Sequence, residues 1–512
     1  MIKIVSLKYK YLFVIVFLGV FGGCNKSSFS YDIVPLLNPN GNTPLTAELS
    51  ITSNKNCSAS IRVLGTSIYE EKFDSLGKKL KIPVLGLYPN TTNKVEVTLS
   101  HKDGETIDTI AIKTEALPNY LPSITINKIN RELMEPGWHL CDIHYAKNGV
   151  SVSRPMIFDD EGEIRWLLDL SSYNEIVWPI QRVKNGNLMF GSKMNIYEYD
   201  MLGNKKKTIP INTNYWLHHE LIELPDGNLL LAVKKRDSYV IIDGERMLSN
   251  NDFIIVINPE TYEVIKEWDV AKHLDVNRQD LNRKTKGNWI HINGLAYDES
   301  DKSIIVSGRN QGICKISWDD ELKWILSPQK NWGKSGREGN GIDTNEFLLT
   351  AIDKDGKPFG KEVQEGNVSH GNFDFPWGQH APEVLPNGNI LLFDNGYLRN
   401  FNKEISYSRA VEYDIDEENM QVKQVWEYGK DKGSEYAALL ISEADRLLKT
   451  NNRLITFGYV LPGKGKIIET TYPKGEEVFE ATLNYKTLDG NKTFNWGQLD
   501  MLYRSERFKL EN

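Results

Sequence analysis

The feature that most constrains this chain is a hairpin turn that recurs in one hydrophobic frame. It occurs in Gln181-Arg-Val-Lys-Asn-Gly-Asn-Leu-Met-Phe190, in Leu221-Ile-Glu-Leu-Pro-Asp-Gly-Asn-Leu-Leu-Leu231 and in Val384-Leu-Pro-Asn-Gly-Asn-Ile-Leu-Leu392. A longer version lies in Leu295-Ala-Tyr-Asp-Glu-Ser-Asp-Lys-Ser-Ile-Ile-Val306, and a weaker one at 447–456. Asn-Gly and Asp-Gly tolerate the positive φ that tight hairpins need. Further alternating strands follow the copies, as at 253–268 and 313–326. Met156-Ile-Phe-Asp-Asp-Glu-Gly-Glu-Ile-Arg-Trp-Leu167 reads as an outer hairpin whose inner strands come from elsewhere. Four-stranded units that repeat in this way describe a radial array, so residues 125–512 are expected to form a six-bladed β-propeller. A row of separate sandwiches would not reuse the same turn in the same frame.

The rest of the chain is simpler. Residues 46–120 alternate apolar and polar in short runs between turn residues, which predicts an immunoglobulin- or fibronectin-like β-sandwich and an all-β protein. Residues 24–45, rich in Asn, Ser and Pro, are expected to be a tether. Residues 1–23 have lysines followed by an apolar run at 11–21, too short for a comfortable membrane span and of signal-peptide length. The run ends in Phe21-Gly22-Gly23-Cys24, which resembles a bacterial lipoprotein cleavage box with lipid carried on Cys24. The expected location is the bacterial periplasm, with membrane contact only through that lipid. The formal net charge of −8 argues against a nucleic-acid partner. Cys57, Cys141 and Cys314 are far apart and lack metal-site spacing.

Counting back from the turns finds a candidate site. His219 stands nine residues before Asn228, and His380 nine before Asn389. Both should begin the innermost strand of a blade, facing the channel. His291 precedes a longer turn and reaches the same level, and Trp178 takes the same place in another blade. Arg309 lies as far after that longer turn as His291 lies before it, so the hairpin should bring the two face to face. Glu220 and Glu383 follow their histidines and are expected on the alternate face. Three histidines with an arginine suit a planar, multi-oxygen anion better than a metal, and no metal is expected. Trp216, Trp289 and Trp377 stand two or three residues before the histidines and could wall a pocket for a ring-bearing ligand.

These residues resemble the bacterial arylsulfate sulfotransferases. The resemblance rests on Trp289-Ile-His-Ile-Asn-Gly-Leu-Ala-Tyr-Asp298, on Ser303-Ile-Ile-Val-Ser-Gly-Arg-Asn-Gln-Gly312 and on Lys323-Trp-Ile-Leu326. His218-His219-Glu220, Gly378-Gln-His380-Ala and Ile82-Pro-Val-Leu-Gly-Leu-Tyr-Pro-Asn90 extend it. It implies transfer of a sulfuryl group from a phenolic sulfate donor to a phenol acceptor without a cofactor, in a six-bladed propeller that forms a homodimer. It also implies that His380 is the nucleophile, that His219, His291 and Arg309 hold the sulfuryl oxygens, and that Asn293 lies close by. Residues 352–379 hold no cysteine, so the short disulfide loop of some members is missing. The chemistry would be ping-pong transfer through a sulfohistidine, with Arg309 and protonated partner histidines stabilising charge and His219 or His291 protonating the leaving phenolate. The competing expectations are a sulfate or phosphate ester hydrolase using the same cluster, and a non-catalytic ligand-binding propeller.

Overall fold

Runs such as Phe253–Ile257 and Ser303–Gly308 are buried at every position. A strand alternates its side chains between two faces, so full burial requires a neighbour on each face. The computed structural model describes residues 28–147, 150–173, 176–278, 287–402, 404, 406–486 and 499–510. Cys24 and the proposed signal segment lie outside these described residues.

Beyond residue 120 the described strands form six main sheets. Four have four strands and two carry a fifth. Along the chain, the first five sheets begin with Trp178–Arg182, Tyr215–Glu223, Ile292–Asp298, His380–Val384 and Glu443–Arg446. The sixth begins with Met501–Phe508. These inner strands neighbour one another in succession, and the strand 501–508 returns to the strand 178–182. The result is a β-propeller. The parity of the strands makes the packing. Leu229, Leu231 and Val233 pack toward Met189 and Ile196 of the sheet before, whereas Leu230 and Ala232 pack toward Leu295 and Ile304 of the sheet after. The chain ends close the ring. Ser123–Ile129 adds an outer strand to the fifth sheet, and Met501–Phe508 pairs with Trp138–Lys147 in the sixth. The segment 156–167 is thus part of an outer hairpin, and only the innermost strand of its sheet comes from a distant stretch. The recurring turns are alike in detail: Gly227 N–H donates to Leu224 O at 2.9 Å and Gly388 N–H to Leu385 O at 2.8 Å, with both glycines at positive φ.

The N-terminal sandwich is one five-stranded sheet wrapped on itself. Its strand Ala47–Val63 pairs first with Tyr31–Leu37 and then with Thr92–His101, while Tyr69–Val84 runs along its other side. The apolar positions of Ala47–Val63 alternate inward, burying Leu49, Ile51, Ile61 and Val63. The strand Tyr31–Leu37 corrects the expected tether over 24–45. It is an edge strand with an exposed face, and an edge accepts Pro35, so its composition imitates a linker. The sandwich core continues into the propeller through Trp138, Trp166 and Phe190. Buried Arg165 ties the two parts by donating to Gly86 O at 3.0 Å and Ser67 O at 2.9 Å, with Asp159 as its ion pair. The insert around 236–250 forms a separate two-stranded hairpin, Tyr239–Ile242 with Glu245–Leu248.

Candidate active site

Five inner strands break register near the point where they enter their sheets, Met501–Phe508 doing so between Leu502 and Ser505. The other irregularities fall between Trp178 and Gln181, Leu217 and Leu221, Ile292 and Gly294, and His380 and Glu383. A bulge adds twist and re-aims side chains, which is why bulges gather near active sites. His219 has φ 65°, His291 φ 54° and Ala381 φ 47°. Each such left-handed non-glycine residue costs about 1–3 kcal/mol, so tertiary packing must hold it there. One consequence escapes sequence counting. Residues 218 and 219 should point to opposite faces, yet their imidazoles meet edge to face with centroids 4.0 Å apart. The positive φ at His219 turns the second ring back toward the first, and His218 joins the cluster.

Hydrogen bonds fix the tautomers. The amide of Asn395 donates to Ala438 O at 2.8 Å and Ile441 O at 3.0 Å, so its oxygen must face His380 Nδ1, 2.7 Å away. His380 therefore carries its proton on Nδ1 and leaves the Nε2 lone pair free. The Tyr503 hydroxyl donates to His219 O at 3.0 Å, so it accepts from His219 Nδ1 at 2.8 Å. His219 Nε2 is then an acceptor, and the His291 Nε2–H faces it at 3.1 Å. Asn288 completes the chain by donating to His291 Nδ1 at 2.8 Å. His218 accepts from Asn251 at 3.0 Å through Nε2, and its Nδ1–H points to Ile292 O at 3.4 Å.

The hairpin does set Arg309 against His291, with the Arg309 N–H donating to His291 O at 3.1 Å. The guanidinium lies 5.1 Å from the Tyr397 ring centre, its Nε is buried without a partner, and no carboxylate among the described residues bears on it. Asn293 serves the wall of the site. Its amide donates to Gln379 O at 2.7 Å and accepts from Ser307 at 2.8 Å, holding the loop that presents His380. The strands come so close there that a Cβ on Gly294 would lie 2.9 Å from Ala381 N. The tryptophans fall elsewhere than expected. Trp289 and Trp377 are buried at 1% and 2% exposure, the first donating to Asp252 and the second packed on Phe401. Half-buried Trp216 carries Lys234 and Arg236 over its ring. The aromatic rings beside the histidines are Trp178, 4.7 Å from His219, and Tyr503, stacked on His219 at 5.9 Å. The described cysteines, Cys57, Cys141 and Cys314, are buried and free.

The sequence model described as Arylsulfotransferase (ASST) matches residues 125–495, and the one described as Arylsulfotransferase Ig-like domain matches residues 35–115. The chain belongs to the arylsulfotransferase family. It is 28% identical to the arylsulfate sulfotransferase AssT of Escherichia coli O6:H1 (strain CFT073) over 538 aligned positions, spanning 86% of this chain and 88% of that protein. It is also 28% identical to arylsulfate sulfotransferase AssT of Lelliottia amnigena, spanning 85% and 88%. Among solved structures, a quinonprotein alcohol dehydrogenase-like protein of Bacteroides thetaiotaomicron covers 90% of this chain and 94% of its own at 10% identity, with a TM-score of 0.30.

Without a bound anion, the four imidazoles of the cluster are all held below the ordinary histidine range. Burial is the main cause throughout. It lowers His380 to about 3, aided by the field of Arg309, and His218 to about 4. It holds His219 and His291 well below the ordinary histidine range. Burial also lowers Arg309, which nevertheless remains a cation. A second ionisable group shares the inner strands. Glu220 is buried and paired with Arg504 at 2.5 Å, and Arg504 reaches Glu443 at 3.4 Å. Glu443, Asp445, Glu506 and Arg504 help line a cavity of about 230 Å³. Burial raises Glu383 to about 7 and Glu443 to about 8.

Proposed function

We propose that the protein transfers a sulfuryl group from a phenolic sulfate ester to an acceptor phenol through a sulfohistidine on His380. The observation that carries this reading is a half-buried guanidinium, Arg309, whose buried Nε has no partner, placed among imidazoles whose tautomers leave one free nucleophilic lone pair. A buried donor without a partner is costly, and an anionic ligand relieves that cost. A sulfate monoester anion supplies the charge and the oxygens that match the guanidinium fork.

In the first half-reaction His380 Nε2 attacks sulfur. The nitrogen–sulfur bond forms as the sulfur–aryloxygen bond breaks, and the electron pair leaves on the phenolate. The bound donor's negative charge draws a proton from solvent on to an imidazole. His219 suits this role, because its Nε2 is an acceptor and its Nδ1–H is already held by Tyr503. That proton passes to the phenolate, which leaves as a phenol. In the second half-reaction His219 takes the acceptor's proton, the phenolic oxygen attacks sulfur, and His380 is released. Arg309 and the surrounding N–H groups oppose the charge that builds on the sulfuryl oxygens. The segment Phe21-Gly22-Gly23-Cys24 supports a periplasmic protein anchored by lipid on Cys24.

A chromogenic phenyl sulfate, supplied with and without a second phenol, tests the reading. Colour release that depends on the added phenol is the expected result. Equal release without it would establish hydrolysis, and no release at all would rule out both reactions.

A further inference from the structure

We propose that His218, His219 and His291 form a site for one divalent transition-metal ion of the zinc class, and that the ion blocks the sulfuryl site when bound. Zinc-class ions favour imidazole nitrogen, and three protein ligands leave a fourth position for water or an anion. One nitrogen from each of the three rings lies within 4.8 Å of the others. The rings belong to two different sheets, and their positions are fixed by the bulges at residues 217–221 and 292–294.

The outer contacts complete the argument. A ligating histidine almost always hands its other N–H to an acceptor that fixes the ring. His219 Nδ1–H has Tyr503 Oη, and His218 Nδ1–H has Ile292 O. His291 is served by Asn288, whose Oδ1 is buried with no partner while its amide nitrogen holds His291 Nδ1. A half-turn of that amide presents Oδ1 to Nδ1–H and turns His291 Nε2 into a lone pair. One ring nitrogen of each histidine is then available to one ion, which displaces the partner that nitrogen of His218 now has. Cations oppose an ion on every side, Arg309 at His291, Lys234 at His218 and Arg504 at His219, so the affinity rests on the convergence of the three imidazole nitrogens. Blocking follows because the ion takes the His219 lone pair that serves the leaving and attacking phenols.

Binding stands apart from the transfer reading, whereas the block rests on it. The test is equilibrium dialysis of the full chain against Zn2+, and visible absorption with Co2+, both without substrate. The expected result is one equivalent bound, with affinity lost in His218→Gln and in His291→Gln and kept in His380→Ala. Asn288→Ala should weaken binding about 10–100-fold, the usual effect of removing an outer-shell partner. Asn288→Asp should strengthen it, because a carboxylate is the stronger partner for a ligating imidazole. Failure to bind one equivalent, or binding indifferent to both histidine changes and to Asn288, overturns the site. Stoichiometric binding with phenol-dependent transfer undiminished overturns the block alone.

Discussion

Two groups of buried and half-buried ionisable side chains share the inner strands of this propeller. One is His218, His219, His291 and His380; the other is Glu383, Glu443 and Asp445. The same physical cause acts on both, because loss of water penalises whichever form is charged. It lowers the histidines, with His380 at about 3, and raises the carboxyls, with Glu443 at about 8. Both groups therefore move toward neutrality at pH 7. What separates them is the arginine each keeps. Arg504 is matched by Glu220, whereas Arg309 has no carboxylate facing it among the described residues. On the proposed function, the matched pair is structure and the unmatched cation is the place for an anion.

The sharpest way to break this comparison is to change neighbouring residues from the two groups. His380→Ala should lower phenol-dependent transfer by at least about 10³-fold, whereas Glu383→Gln, three residues along the same strand, should leave it within a few-fold. Initial rates with a chromogenic sulfate decide it. The two arginines come next. Arg309→Ala should cost about 10²–10³ in kcat, as removal of one charge-stabilising donor does elsewhere, with little loss of thermal stability. Arg504→Met should instead destabilise by about 3–5 kcal/mol, because Glu220 is left buried and unpaired. Denaturant titration beside the rate assay separates these outcomes.

The two groups should also give opposite slopes of stability against pH. The histidines are depressed when folded, so the unfolded chain binds more protons as pH falls below about 6.5, and stability drops toward pH 3–4. The raised carboxyls are protonated when folded, so their contribution is full below about 4.5 and is lost as pH rises toward 7–8. His218→Gln should flatten the acid side of the curve and Glu443→Gln the other side. For the same reason kcat/KM should not fall between pH 7 and pH 5, and an acid limb near 6.5 would contradict the burial argument. The smallest effect expected is that of Tyr503→Phe, about tenfold in transfer, because the His219 Nδ1–H loses its acceptor but keeps its position.

Sequence spacing reached the residues whose geometry repeats. The turn frame puts His219, His291 and Arg309 at one level, because the same bulge recurs beside the same hairpin. It missed His218, since simple alternation gives no hint of the positive φ that turns two successive rings to one side. It misjudged Trp289 and Trp377, because proximity along the chain says nothing of which face the bulge selects, and both rings enter the core. Tyr503, 284 residues from His219, has no local signal at all, and only closure of the ring brings it to the histidines. Asn395 reaches His380 through the hairpin that pairs His380 with Phe393, but nothing in the spacing marks it. The edge strand Tyr31–Leu37 was hidden because half of it faces water.

His380 is proposed to attack through Nε2 while Asn395 holds the proton on Nδ1. The most direct test is to hold the protein with a phenyl sulfate in the absence of acceptor, record the intact mass, and locate the modification by nitrogen-15 NMR on histidine-labelled protein. The expected result is one added sulfuryl group, on His380 Nε2, with the Nδ1–H signal retained and the label discharged on addition of a phenol. A sulfuryl group on any other residue or on Nδ1, or turnover with no labelled protein at any time, would contradict it.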